Sequence, residues 1–172
     1  KLLLDFNGKL LIQRVVETVA ESCVDKIIVV TGGHHDEVLE AVGGGVKFTH
    51  NPDPSRGMLS SVRCGLVAID SDTQIVAVFL GDQPRLIPNI INIVIATFLK
   101  SPRLIAVPVL DGKRGHPLVF DGRYRDEVLS MFDKVGLRGL LAAHPEEVCE
   151  VEVDSKTILE DVDTEEDFQK LL

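Results

Sequence analysis

VAVFLGDQP, residues 76–84, holds five apolar residues in a row, Val76 to Leu80, with nothing polar between them. Such a run suits a strand covered on both faces, as in the middle of a parallel sheet; a strand with one wet face would alternate. Gly81 then allows a tight turn or the close approach of a ligand. Pro84 has no N–H to donate and ends the ladder. A carboxylate, Asp82, is thereby held just past the carboxyl end of a strand. Open α/β sheets bind ligands at such ends, and an aspartate there suits Mg²⁺ held against substrate phosphates. An aspartate that only caps a turn or the next helix accounts for the same residues.

Outward from this strand, apolar runs and helical spacings alternate. Residues 9–23 carry Leu11, Val15, Val16, Val19 and Ala20 at helical intervals. Residues 26–31 (KIIVVT) read as a buried strand, 35–42 as a short helix, 46–50 as a strand and 57–69 as a helix. On the other side, Pro88 suits the first turn of a helix running to Leu99. Residues 104–110 and 117–120 read as strands, 123–132 and 137–144 as helices. Residues 148–153 alternate apolar with acidic and predict a strand with one wet face, and 164–172 a closing helix. The expectation is α/β: a mostly parallel sheet with helices on both faces, in one domain over residues 1–172.

The bulk numbers fit that reading. The chain has 172 residues, 45% of them hydrophobic and 26% charged, enough for one sizeable core. A net charge of −9 argues against general nucleic-acid binding. Cys23, Cys64 and Cys149 are odd in number and widely spaced, so no disulfide framework or metal pattern is expected. A reducing cytoplasm follows. Residues 87–99 are interrupted by Pro88, Asn89, Asn92 and Thr97 and do not read as a membrane span. No signal-peptide pattern is read at the start.

Several stretches could carry chemistry. Residues 51–66 (NPDPSRGMLSSVRCGL) leave a strand, cross a loop and enter a helix. Helix-start N–H groups, Ser60, Ser61, Arg56 and Arg63 would suit an anion, or the stretch is a plain helix entry with surface arginines. Residues 111–120 (DGKRGHPLVF) place Lys113, Arg114 and His116 in a glycine-flanked turn. That is a phosphate-binding loop or a hairpin with solvated charges. In residues 160–167 (EDVDTEED), Thr164 and Asp167 have the spacing of a capping box, and the carboxylates around them could also hold Mg²⁺. His34 and His35 invite a metal, but adjacent residues on a forming helix point apart.

Taken in order, these stretches resemble the nucleotidyltransferases of the molybdenum-cofactor cytidylyltransferase type, within the molybdopterin-guanine-dinucleotide-synthase-like family. The matching residues are Lys1 to Leu4 with Gly8-Lys9, Val29 to Gly32, Asn51-Pro52 with Gly57-Met58, Ser61 and Gly65-Leu66, then Gly81 to Pro84, Gly115 to Pro117, and Asp161 to Thr164 with Glu166-Asp167. The resemblance implies a Rossmann-like three-layer α/β/α fold of the nucleotide-diphospho-sugar transferase type, Mg²⁺ and a nucleoside triphosphate. It implies that Asp82 is the principal metal ligand and Asp163 the second, with Asp161 the alternative. Lys1 would contact triphosphate oxygens and act with Asp82 in catalysis. Ser61 and Gly81 would lie along the nucleotide, and Arg114 and His116 toward the acceptor. The family's first strand and glycine-rich signature loop would precede Lys1, outside these residues. A loop mobile without ligand accounts for that better than a shortened chain.

The implied reaction moves CMP from CTP to molybdopterin or its molybdenum form, releasing pyrophosphate, with a molybdoenzyme or its chaperone as a downstream partner and neither nucleic acid nor membrane involved. A related enzyme using GTP or a sugar phosphate, and a nucleotide-binding module without turnover, are the alternatives.

Overall fold

The computed structural model describes residues 1–171. It opens with a hairpin of β1 (Asp5–Phe6) and β2 (Lys9–Leu10). The turn is Asn7-Gly8, with φ of 55° and 79°, the two positive values that a two-residue hairpin turn demands. Helix α1 (Leu11–Ala20) follows at once and buries Leu11, Ile12, Val15 and Val19. Next comes a strand–helix–strand unit: β3 (Ile28–Thr31), α2 (His35–Val42) and β4 (Lys47–His50), with β3 and β4 paired in parallel. Helix α3 (Met58–Ala68) starts after Gly57, whose φ is +87°, and lies close on β3, since a Cβ on Gly65 would stand 3.2 Å from Val30 Cγ2.

The second sheet has five strands. These are β5 (Ile75–Val78), β6 (Ile105–Leu110), β7 (Lys113–Arg114), β8 (Leu118–Asp121) and β9 (Val148–Glu152). β6 is its centre. It pairs in parallel with β9 on one edge and antiparallel with β7 and β8 on the other. β5 pairs antiparallel with β8, so β5, β6 and β9 run one way and β7 and β8 the other. The unbroken run at residues 76–80 correctly signals two covered faces. Among the described residues β5 pairs with β8. Among the described residues β6 is paired on both edges, despite Pro108. That proline falls at the break between β7 and β8, where the lost N–H interrupts no pairing on that edge.

Helix α4 (Pro88–Lys100) enters with Pro88 in its first turn and buries Ile90, Ile91, Val94 and Phe98. With α1 it covers one face of the five-stranded sheet, meeting Ala106, Val119, Val151 and, from β5, Ile75 and Ala77. The other face receives α3 and two shorter helices, α5 (Arg125–Ser130) and α6 (Arg138–Ala143). They pack on Ile105, Val107, Val109, Leu118, Phe120 and, from β5, Val76 and Val78. The two sets alternate along each strand with the period of two. This is a three-layer α/β/α arrangement. Helix α7 (Glu165–Leu171) closes the described chain and buries Phe168 against Phe6, Leu11 and Val162. Among the described residues no helix is long and apolar enough to cross a membrane.

Candidate active site

The segment after β5 is held by its neighbours more than by its own turn. The backbone carbonyl of Asp82 accepts from Val162 N at 3.0 Å. Gln83, 2% exposed, donates from Nε2 to the carbonyl of Ile158 at 3.3 Å. The same carbonyl accepts from His116 N at 3.2 Å. Gly115 lies so close that a Cβ there would overlap the Ile158 oxygen. Residues 81–83, 115–116 and 158–162 are thus stitched into one block. Gly81 is at ordinary φ; what it supplies is room, since a Cβ would stand 3.2 Å from Ile12 Cδ1 and 3.5 Å from Leu2 Cδ2.

This block brings three of the sequence-derived residues together. Lys1 Nζ donates to Asp82 Oδ2 at 2.6 Å and to Asp163 Oδ1 at 2.7 Å. The Asp82 side chain is 18% exposed, Lys1 38% and Asp163 66%. Partial burial pulls the Lys1 pKa down, but its hydrogen bonds to Asp163 and Asp82 and their charges outweigh this and leave it raised. The other oxygen of Asp82, Oδ1, is buried and accepts no hydrogen bond. Asp82 therefore caps nothing with its side chain. The capping near the C-terminus is done by its expected pair: Asp167 N donates to Thr164 Oγ1 at 3.1 Å, and Thr164 N donates to Asp167 Oδ2 at 3.0 Å. Asp163, one residue before that box, is left to face Lys1.

His116 stands beside the pair. Burial lowers its pKa, while the charges of Asp82 and Asp161 act the other way. The remaining expected residues lie in other hydrogen-bonding groups. Arg114 on β7 is held by Glu150 of β9, at 2.8 Å from Nε and 2.7 Å from Nη2. Ser61 accepts from Asn51 Nδ2 at 2.9 Å, and Ser60 accepts from the same nitrogen at 2.8 Å. Arg63 does not face the loop before α3. It donates to the carbonyls of Val128 and Met131 and to Asp133, fastening the end of α5. His34 pairs with Glu37, and His35 meets Thr31 Oγ1 and the His50 ring, so the two histidines do diverge.

Asn51 and Gln83 were not weighted by sequence reasoning. Each is 2% exposed, follows a strand and precedes a proline. A polar residue before proline at the end of an apolar run was the signal available: the loops around them partner the Asn51 amide and Gln83 Nε2, while Gln83 Oε1 accepts no hydrogen bond.

Among the described residues no three or more His, Cys, Asp or Glu side chains gather as a metal cluster. The donor set nonetheless fits a hard divalent cation of the Mg²⁺ type. Two carboxylates converge, one with an unpartnered buried oxygen, and such an ion takes its other ligands from water and substrate phosphate.

The fold is that of the nucleotide-diphospho-sugar transferases, and the family to which the chain is matched is one of nucleotidyltransferases. The MobA-like NTP transferase domain family matches residues 1–148, and the chain belongs to it. It is 30% identical, over an alignment of 186 residues, to nicotine blue oxidoreductase of Paenarthrobacter nicotinovorans, covering all of this chain and 87% of the relative. It is 26% identical over 172 residues to molybdenum cofactor cytidylyltransferase of Escherichia coli K12, covering 98% and 84%. A crystal structure from Mycobacterium sp. strain JC1, a homologue of a Mycobacterium tuberculosis protein, is similar with a TM-score of 0.88 at 27% identity, over 99% of this chain and 85% of that one.

Proposed function

We propose that the chain transfers CMP from CTP to a phosphate-bearing acceptor of the molybdopterin type, with release of pyrophosphate. The observation that carries this reading is the convergence of Lys1, Asp82 and Asp163, one ammonium and two carboxylates gathered where the sheet ends. An oxygen of the acceptor phosphate attacks the α-phosphorus of CTP. A new P–O bond forms, the bond between the α-phosphorus and its bridging oxygen breaks, and pyrophosphate leaves with the electron pair. The nucleophile is already anionic, so no strong base is required. The demand is positioning and neutralisation of charge.

Asp82 and Asp163 would hold Mg²⁺, which when bound neutralises phosphate charge as a Lewis acid. Lys1 binds triphosphate oxygens. Gly81 leaves the strand end open to the nucleotide, Ser61 serves the base, and Arg114 and His116 serve the acceptor. The neutral state that burial favours at His116 suits a group that orients a phosphate without clamping it. The three cysteines are unpaired, which supports a reducing compartment and with it the cytoplasm.

The test is pyrophosphate release with each of the four nucleoside triphosphates, molybdopterin or its molybdenum form being present. CTP is expected to lead. A lead for GTP, or turnover only with a sugar phosphate, replaces the substrates but keeps the chemistry. Binding of all four without pyrophosphate release overturns the proposal in favour of a nucleotide-binding module.

A further inference from the structure

We propose that Lys1 is the resident counter-ion of the Asp82–Asp163 pair, and that a divalent cation enters only by displacing its ammonium, which then turns to the phosphates of the incoming nucleotide. This rests on the metal-dependent reading above and adds an order of events to it.

Both side-chain hydrogen bonds that Lys1 donates among the described residues go to these two carboxylates. Two carboxylates against one ammonium leave the group with a net charge of −1. One oxygen of each is served, and Asp82 Oδ1 stays buried without a donor. Leaving a buried anionic oxygen unpartnered is costly, so the ammonium is an incomplete match for the pair. A dication completes it, since two positive charges cancel two carboxylates. The same exchange strands the ammonium beside a neutralised site. A triphosphate supplies the anion it then lacks. Metal and triphosphate therefore favour each other through Lys1, and by linkage the effect is reciprocal. Without nucleotide, Lys1 opposes the metal; with nucleotide it does not.

The experiment titrates Mn²⁺ into the whole protein and follows the free ion by electron paramagnetic resonance, with and without CTP and with no acceptor. Lys1→Gln is expected to tighten Mn²⁺ binding to the nucleotide-free protein by about five- to tenfold, the scale of two partly exposed ion pairs. It is also expected to shrink the gain in Mn²⁺ affinity that CTP brings. Lys1→Arg keeps the charge and should stay as weak as the native protein. Asp82→Asn in the Lys1→Gln background should abolish the tight site. Equal or weaker Mn²⁺ binding by Lys1→Gln overturns the counter-ion role while leaving the metal site standing. Binding that ignores Asp82→Asn overturns both, because the metal is then held elsewhere.

Discussion

The two carboxylates that meet at Lys1 are built in opposite ways. Asp82 sits past a strand end, 18% exposed, with its backbone tied to Val162 and its neighbour Gln83 tied to Ile158. Asp163 is 66% exposed and owes its position to a local device, the Thr164–Asp167 box that starts α7. The first is fixed by tertiary packing and cannot move without moving the sheet end. The second sits on a short helix entry whose constraint is worth about 1 kcal/mol. In the proposed exchange, a rigid partner and an adjustable one would let the gap between them fit an ammonium first and a smaller ion afterwards, while the strand side keeps the register.

This contrast can be broken in three places. The largest effect is expected when the carboxylates are removed singly. Asp82→Ala should lower pyrophosphate release by about 10³-fold and Asp163→Ala by about tenfold, the scale of losing a preorganised charged group and a mobile one. Equal losses in a steady-state assay would erase the distinction between them. Next, Gly115→Ala should cost about 3 kcal/mol or more in urea unfolding, because the added Cβ overlaps a main-chain oxygen. Gly81→Ala meets only the ends of Ile12 and Leu2 and should cost about 1 kcal/mol. If Gly115→Ala is as mild as Gly81→Ala, the stitching at Ile158 is not what holds the site. The smallest effect concerns His116. Burial lowers its pKa in the folded protein, whereas an unfolded histidine takes its proton near about 6.5. Its contribution to stability is whole above that value and is lost as pH falls below it. In chelator, the urea midpoint of the native protein should drop between pH 8 and pH 5.5 by more than that of His116→Gln. Matching drops would assign the loss to other groups.

Much of the layering was legible in the sequence, since period two and helical spacing respond directly to which faces are covered. The helix at residues 35–42 has the expected bounds, and the alternation expected at 148–153 holds from Glu150 to Val153, while Val148 is buried on the opposite face, where a single wet face was expected. What periodicity cannot carry is edge pairing. An unbroken apolar run tells that both faces are covered but not that β5 meets β8 antiparallel while β6 meets β9 in parallel. The Asn7-Gly8 pair carries the turn chemistry of a hairpin, but its strands are two residues long and show no period. At the site, Asp82 and the Thr164–Asp167 box follow from local rules. The arginine at 63 does not. Its partners are at 128, 131 and 133, and no local pattern announces a guanidinium bound to a helix 65 residues away.

The Ile158 carbonyl has one further consequence. Because the obstacle facing position 115 is peptide oxygen, every L-amino acid at position 158 presents it alike. A side chain installed at 115 therefore has no simple suppressor at the position it strikes. Relief would require re-routing the main chain between β9 and the acidic turn. Drift in this part of the molecule is channelled to the side chains around the peptide, while the peptide itself and the glycine opposite it are carried along as a pair.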